Sequence, residues 1–507
     1  MKNIFSYIGC FFTLFCLAAC VEDGGNYDYM DKQDVLPIEI TGLDKSITAK
    51  QGETLRLSPT VVNDDGSSYS YQWFVTEAIT AGALPKRYYI SEEKDLNYDV
   101  KLEPNSYLMN FMVTDKKRGI YKRYEINLTV TASPTDKGWY VLKNEGDETD
   151  FDYIAGDGTH YRDLLLAGGQ RVKGNAVDMA YQDGRYYHLV YDEQGNAKTL
   201  VNQSVFYILT DKDSRTYNSK TLSLFKTFND MFYESPSVCN PQCVLYANVG
   251  NIFFINDNRL YYIYGMTANI GKFAPKVGLN TFYPQIIPHG AQETLVFDTK
   301  EHTFYKATTM NGTVSAIGET KTDNGETVSF TNMPYSMLCI GENGAWGTFG
   351  YSYCLMRHDE TGDGALVRIY NRTGTNITSF KSVDKTSKLM ETSMIAPSYI
   401  ADFLYFAIGN KVYSYENAEG LEDKEKLLLE YPAGEEVAWI KHCYGKSANA
   451  LNNYLETNSL SVLTNTASGW KLYMYDLIGE SNPEINPTPA VVYEGTGIAR
   501  KLLFRYK

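Results

Sequence analysis

The sequence predicts an all-β protein, an immunoglobulin-like sandwich followed by a β-propeller-like domain of about seven blades. Three observations predict it. Short apolar-polar runs recur along the chain, among them YSYQWFV from Tyr69, IFFIND from Ile252, LYYIY from Leu260, FLYFAI from Phe403 and KLYMYD from Lys471. Each is bounded by Gly, Asn, Asp or Lys, the pattern of strands separated by turns, and helical periodicity is scarce. Tyrosine is the second observation: 42 Tyr beside only 5 Trp suits strands with one wet face, where the ring packs and the hydroxyl stays hydrated. The third is length, because 507 residues exceed one ordinary domain and call for two or more cores.

In chain order, the first element is not part of either fold. Lys2 precedes an apolar segment rich in Phe, Leu and Ile, which ends in Leu17-Ala18-Ala19-Cys20. A positive charge, a short apolar run and small residues make residues 1–19 a secretory signal peptide; the run falls short of the roughly 20 residues that span a bilayer. The tetrad resembles the lipobox of bacterial lipoproteins. That resemblance implies cleavage ahead of Cys20 and acylation of its thiol, with palmitate among the expected chains; an ordinary signal with an incidental cysteine is the alternative. Residues 20–35 follow as an acidic tether. Within it Glu22 and Asp23 are similar to the acidic signal by which certain Gram-negative bacteria export lipoproteins to the outer face of the outer membrane, which implies a lipid-anchored protein facing the cell exterior. Loss of the signal, with Lys2 and no acid, takes the formal charge from -14 to -15. An acidic chain without a basic cluster repels phosphate backbones, so nucleic acid is excluded as a partner.

Residues 36–133 are expected to form the sandwich. ITAKQGETLRLSPTVVNDDGSSYSYQWFVT supplies strands, an Asn-Asp-Asp-Gly turn and Trp73 on a central strand; SYLMNFMVTD opens with Tyr107, and YKRYEINLTVTA closes the module. No cysteine lies there, so the core must hold by packing around Trp73. Residues 138–507 read as a degenerate array of hairpins, FFINDNRLYYIY, LVFDTKEHTFYKA and LYFAIGNKVYSYE, each an apolar strand, a polar turn and an aromatic strand. Recurrence of such units points to propeller blades. The final GIARKLLFRYK is expected to close the ring near Trp139.

The order of lipobox, a domain with Tyr71-Gln72-Trp73 and Val113-Thr114-Asp115, and Gly138-Trp139-Tyr140-Val141-Leu142 opening a long β region resembles the PKD-like family of surface lipoproteins. The resemblance implies a sandwich followed by a propeller-like domain. It also implies company: a TonB-dependent outer-membrane transporter and its lid lipoprotein in a nutrient-uptake system. The Asp-Phe-Gly-Asp turn of better-known PKD repeats is missing, since Trp73 is followed by Phe74-Val75.

Catalytic chemistry finds little footing in the residues. There is no G-x-S-x-G elbow, and His160, His188, His289, His302, His358 and His442 are scattered without an H-E-x-x-H arrangement. No cofactor or metal is expected: Asp359-Glu360-Thr361-Gly362-Asp363-Gly364 alternates oxygen ligands, yet Tyr370 stands where an EF-type loop needs its bidentate Glu. Two carboxylates from distant blades could still make a glycoside hydrolase, which is the enzymatic alternative. Outside the signal and Cys20 remain Cys239, Cys243, Cys339, Cys354 and Cys443. Cys239 and Cys243 could close a tight loop or merely flank an Asn-Pro turn.

The hairpin MLCIGENGAWGTFGYSYCLM carries the ligand-binding candidates. Glycines at 341, 344, 347 and 350 break the strands, so a turn centres near Trp346. Symmetric pairing about it sets Cys339 opposite Cys354, a cross-strand pair able to bridge. Trp346 at the tip, with Phe349, Tyr351 and Tyr353 in line on one face, could stack on a sugar ring or anchor a partner; burial of Trp346 between blades is the alternative. The function expected is non-enzymatic: a surface lipoprotein that binds or presents a glycan or peptide nutrient, or scaffolds the uptake complex.

Overall fold

The computed structural model describes residues 38–506 apart from 51–52, 78–86, 101, 103–104, 132–135, 168, 192–193, 268, 324, 343–350, 371–376, 417–424, 446–454 and 479–483. The chain divides after Thr131 into two compact units.

In the first unit, Tyr69–Glu77 lies between Arg87–Ser91 and Asn105–Asp115 in a five-stranded sheet completed by Tyr121–Thr131 and Ser46–Lys50. The last two strands run parallel and the other pairs antiparallel. Two short ladders, Thr54–Leu57 with Leu96–Asp99 and Ile40–Thr41 with Thr60–Val61, contribute Leu96 and Val61 to the same core. Alternation places Tyr107, Met109, Phe111 and Val113 inward from one strand. Trp73 is fully buried at the centre, 4.4 Å from the ring of its cross-strand partner Phe111. Its indole N–H donates to the carbonyls of Glu93 and Lys94 at 3.1 and 3.2 Å, so the largest core side chain leaves no polar group unmet.

The second unit is a seven-bladed propeller. Blade 2 is Ala176–Tyr191, Ala197–Thr210, Ser214–Asn218 and Leu224–Thr227; blade 3 is Pro241–Asn248, Asn251–Asn256 and Arg259–Ile263. Blade 4 is Ile287–Pro288, Glu293–Asp298, Thr303–Thr308 and Thr313–Ala316; blade 5 is Tyr335–Gly341, Tyr351–His358, Gly364–Tyr370 and Ile377–Val383. Blade 6 is Ile395–Pro397, Phe403–Ile408, Lys411–Glu416 and Glu425–Glu430; blade 7 is Glu436–Gly445, Thr457–Thr466, Gly469–Ile478 and Val491–Gly495. Blade 1 draws on both ends of the unit: Gly138–Glu145, Glu148–Ala155 and His160–Tyr161 are joined by Ile498–Arg505 as the innermost strand.

The ring follows from how a two-residue period is shared. All six residues of Asn251–Asn256 are buried. Ile252 and Phe254 enter the core between blades 2 and 3, whereas Phe253 and Ile255 enter the core between blades 3 and 4. The same division, repeated, gives seven apolar cores among the described residues, one between each pair of neighbouring blades. The last joins blade 7 to blade 1 through Leu463, Trp470, Trp139 and Leu502. As many interfaces as blades means a closed ring. Trp139 stands opposite Phe504, their rings 5.2 Å apart, so the C-terminal segment is the closing strand.

Buried charge reinforces that closure. The Lys143 ammonium is 2.9 Å from Glu145, 3.0 Å from Asp152 and 3.0 Å from Asp163. Burial alone would depress its pKa, but the carboxylates, Asp152 foremost, raise it. Thr496, in the turn before the closing strand, donates to Glu145 at 2.6 Å. The first hairpin of the ring is thus bonded to its last turn.

The hairpin of blade 5 corrects the expected cysteine pairing. A register shift between Met337 and Cys339 sets Cys339 opposite Leu355 and Cys354 opposite Ile340. One extra residue turns the thiols to opposite faces, Cys339 into the core shared with blade 6 and Cys354 into that shared with blade 4. Both are free, as are Cys239 and Cys243. Cys239 donates its thiol to the Lys212 carbonyl at 3.2 Å, while a bulge between Pro241 and Cys243 turns Cys243 to the propeller axis.

Candidate functional site: the axial channel

The innermost strands of neighbouring blades lie side by side about the axis. Close approach is needed there. A side chain added at Gly341, the end of blade 5's first strand, would come within 2.6 Å of Ile395 on blade 6. Between the strands lies a cavity of about 190 Å³, bordered by Lys501, Asp178, Cys243, Ile286, Ile340, Ala396 and Trp439, one residue from each blade or from the turn leading into it. A second cavity of about 190 Å³ continues along later residues of the same strands, walled by Tyr181, Tyr246, Tyr399, Phe504 and Tyr506. Val244, Leu245, Glu342, Lys441 and Lys501 border both. The two cavities therefore meet at a polar belt.

The belt is built from bonds that cross blade boundaries. Asp178 accepts the N–H of Met179 at 2.8 Å and that of Val244, on blade 3, at 2.9 Å, and it pairs with Lys501 of blade 1. Burial would lower the Lys501 pKa, but the charge of Asp178 overrides it and raises it. The Lys501 ammonium also lies 5.6 Å from the Trp439 ring centre. Lys441 of blade 7 meets Glu342 of blade 5 at 3.5 Å. Gln285 accepts the N–H of Ile340 at 3.1 Å. His442 accepts the N–H of Tyr399 on Nδ1 at 3.0 Å, which leaves Nε2 to donate to Asn458 at 2.8 Å. Burial brings its pKa down to about 4, so the imidazole is neutral. Burial, with Asp178 next, pushes the Cys243 thiol well up and keeps it protonated.

Chemically, the belt is balanced and occupied. Two lysines answer two carboxylates, and the oxygens of Asp178 accept three donors. The second cavity offers aromatic walls and one stacked cation, Arg505 lying 3.4 Å over the Tyr181 ring. Such walls suit flat apolar faces. Among the described residues, no group of three or more His, Cys, Asp or Glu is placed to hold a metal ion.

The residues singled out from the sequence fall elsewhere. Cys20, Glu22, Asp23, Trp346 and Phe349 lie outside the described residues. Tyr351 is half-buried, with the Arg368 guanidinium 4.8 Å over its ring and Tyr370 at 5.2 Å. Tyr353 is not a ligand-stacking surface: it is 1% exposed in the core between blades 5 and 6, with its hydroxyl on Asp402. Blade packing takes both faces of its strand, so an aromatic series of period two supplies cores and no open platform. The channel residues went unnoticed because each comes from a different blade. Their only signal is a charge within an apolar innermost strand, as in AVDMAY, WIKHCY and ARKLLF.

Residues 20–180 match the PKD-like family, a span of about a third of the chain that takes in the described part of the first unit and the N-terminal strands of blade 1. No curated protein matches the chain. Among solved structures, the chain is similar to a quinonprotein alcohol dehydrogenase-like protein from Bacteroides thetaiotaomicron VPI-5482, at 14% identity over 91% of this chain and 96% of that one, TM-score 0.41. It is also similar to a streptogramin B lyase, at 11% identity over 65% and 91% of the two chains, TM-score 0.36. A third is the dihydro-heme d1 dehydrogenase NirN, at 11% identity over 78% and 76%, TM-score 0.35.

Proposed function

We propose that this chain is a lipid-anchored protein of the outer-membrane surface that binds or presents a nutrient glycan or peptide, or docks onto a TonB-dependent transporter and its lid lipoprotein, without chemistry of its own. The observation that carries the non-catalytic part is the belt: its carboxylates Asp178 and Glu342 each face a lysine, and Asp178 also accepts the backbone N–H groups of Met179 and Val244. A general acid must hold a proton and a nucleophile must have a free lone pair. Asp178 is placed for neither. The aromatic second cavity supports binding of a ring-bearing ligand. For the anchor, the support is Leu17-Ala18-Ala19-Cys20 in the sequence.

The second reading, a propeller glycoside hydrolase, draws on one observation: Asp178 and Glu342 border the same cavity. One experiment compares the two. The purified mature chain is titrated with glycans and peptides by calorimetry, and the same mixtures are assayed for released product. Saturable heat without product, weakened in Tyr246→Ala on the wall of the second cavity, is expected; product that disappears in both Asp178→Asn and Glu342→Gln would establish the hydrolase. Cell fractionation tests the anchor, with Cys20→Ala expected in the soluble fraction and the Glu22→Ala/Asp23→Ala variant lipidated but sheltered from protease added to intact cells.

A further inference from the structure

A second polar site lies away from the axis, on the outer part of blade 2. Its geometry starts at a bulge: Thr216 pairs with Lys226 but Tyr217 pairs with Leu224, so Phe225 is an extra residue in the outermost strand. A bulge re-aims the side chains beside it. Here the Phe225 ring stacks on Tyr186 at 5.7 Å and on His188 at 4.0 Å with the planes 10° apart. Lys226, directly across from Thr216, shares that residue's face of the sheet. Thr216 in turn bonds the Tyr186 hydroxyl at 3.1 Å. The backbone of Gly271 also passes so close to the Tyr186 ring that an added side chain would sit 2.3 Å from it. Lys272 is the next residue. Lys226, Lys272 and His188 are therefore carried by segments that meet around Tyr186, close enough for Lys272 to act on Lys226 and Lys226 on His188.

Nothing within the described protein neutralises this group. In a chain with 61 acids and 47 bases, a lysine ordinarily finds a carboxylate. Yet among the described residues neither Lys226 nor Lys272 has one within ion-pair distance. Asp230 acts on Lys226 only from afar and has its carboxylate on the Thr227 hydroxyl at 2.8 Å. Desolvation first, then the charge of Lys272, push the Lys226 pKa down; desolvation and then Lys226 do the same to His188. His188 Nδ1 is buried without a hydrogen-bond partner. A buried unpaired polar atom beside two part-buried like charges is an unfavourable arrangement that an anion would relieve.

We propose that Lys226, Lys272 and His188 form a binding site for a tetrahedral oxyanion, phosphate or sulfate, with the two ammonium groups and the Nδ1–H as donors. The group has two sources, a free inorganic ion or an ester on a larger glycan. The site is independent of the axial channel, so loss of channel binding leaves it standing.

The test uses the mature chain. Its melting temperature is measured at constant ionic strength as chloride is replaced by inorganic sulfate or phosphate, and affinity is measured by calorimetry with inorganic phosphate, inorganic sulfate and a sulfated polysaccharide. Sulfate or phosphate is expected to raise the melting temperature above the chloride value. Lys226→Met is expected to weaken binding about tenfold, the loss of one charge-assisted hydrogen bond, and Lys226→Met/Lys272→Met to abolish it. The double variant in chloride should melt no lower than the parent, since it removes repulsion. Lys226→Arg keeps the charge and should keep the response, which separates binding from a folding defect. Tighter binding of the polymer than of either ion, lost in the same variants, identifies the ester; equal or weaker binding identifies the free ion. A parent whose melting is indifferent to the anion, or an anion response that survives the double substitution, overturns the proposal.

Discussion

At the scale of single residues, the propeller uses its buried polar groups as stitches between blades, and His442 is the one whose charge state can be read in a pH titration. Its ring is held neutral, accepting from Tyr399 and donating to Asn458. At neutral pH the folded and unfolded imidazoles are both uncharged and the group favours neither state. As pH falls through 6.5 the unfolded chain takes up a proton that the folded chain refuses until about 4. Stability is lost across that window, by about 3 kcal/mol at its acid end. His442→Gln keeps an acceptor and a donor, so urea midpoints measured across the window should fall less steeply for this variant than for the parent; parallel slopes would contradict the assignment. The histidine inside WIKHCY is visible in the sequence, but its partners Tyr399 and Asn458 are not, because they arrive from positions 43 and 16 residues away. Tyrosine shows the same limit from the other side. Its abundance suggested wet strand faces, whereas Tyr140, Tyr153, Tyr207 and Tyr405 are wholly buried. Two of these hydroxyls reach carbonyls just ahead of blade 1's first strand, Tyr140 at Asp136 and Tyr153 at Lys137, 2.8 Å away, and that of Tyr207 reaches the buried Gln182 side chain.

At the scale of elements, strand existence was legible and strand register was not. The hairpins FFINDNRLYYIY and LYFAIGNKVYSYE fold as read, with turns at Asp257-Asn258 and Gly409-Asn410. A symmetric pairing rule failed in blade 5 because one bulge, beside Met337, shifts every later partner by a residue and exchanges the two faces. The cysteines provide the check. Alkylation of the folded chain followed by mass spectrometry should label part-exposed Cys239 first and leave Cys339, Cys354 and Cys443 protected until denaturant is added. Burial, which pushes the Cys339 thiol up to about 12, slows it further. A Cys339–Cys354 cross-link under non-reducing conditions would refute the shifted register.

At the scale of the whole molecule, seven blades sharing seven cores make each blade depend on two neighbours, and the dependence is cyclic. The closing strand carries Leu502 into the core between blades 7 and 1, and Lys501 to the axis. Deleting residues 498–507 should therefore uncover Trp139, Val141 and Leu463, strip Asp178 of its cation, and replace a single cooperative thermal transition by a broad one at lower temperature, followed by circular dichroism. An unchanged melt would show that the ring holds without its latch. The sequence revealed that latch, GIARKLLFRYK, as a segment apolar enough to be a strand that closes the ring near Trp139. Its position also sets an order of events in time. Synthesis delivers the chain amino end first, so the strand that locks the ring emerges after every other strand of the seven blades. Until then blade 1 lacks its inner edge and the Lys143 cluster lacks Thr496. The ring stays open for as long as it is being made, and closes only when Ile498–Arg505 reaches the strand that was made first in blade 1.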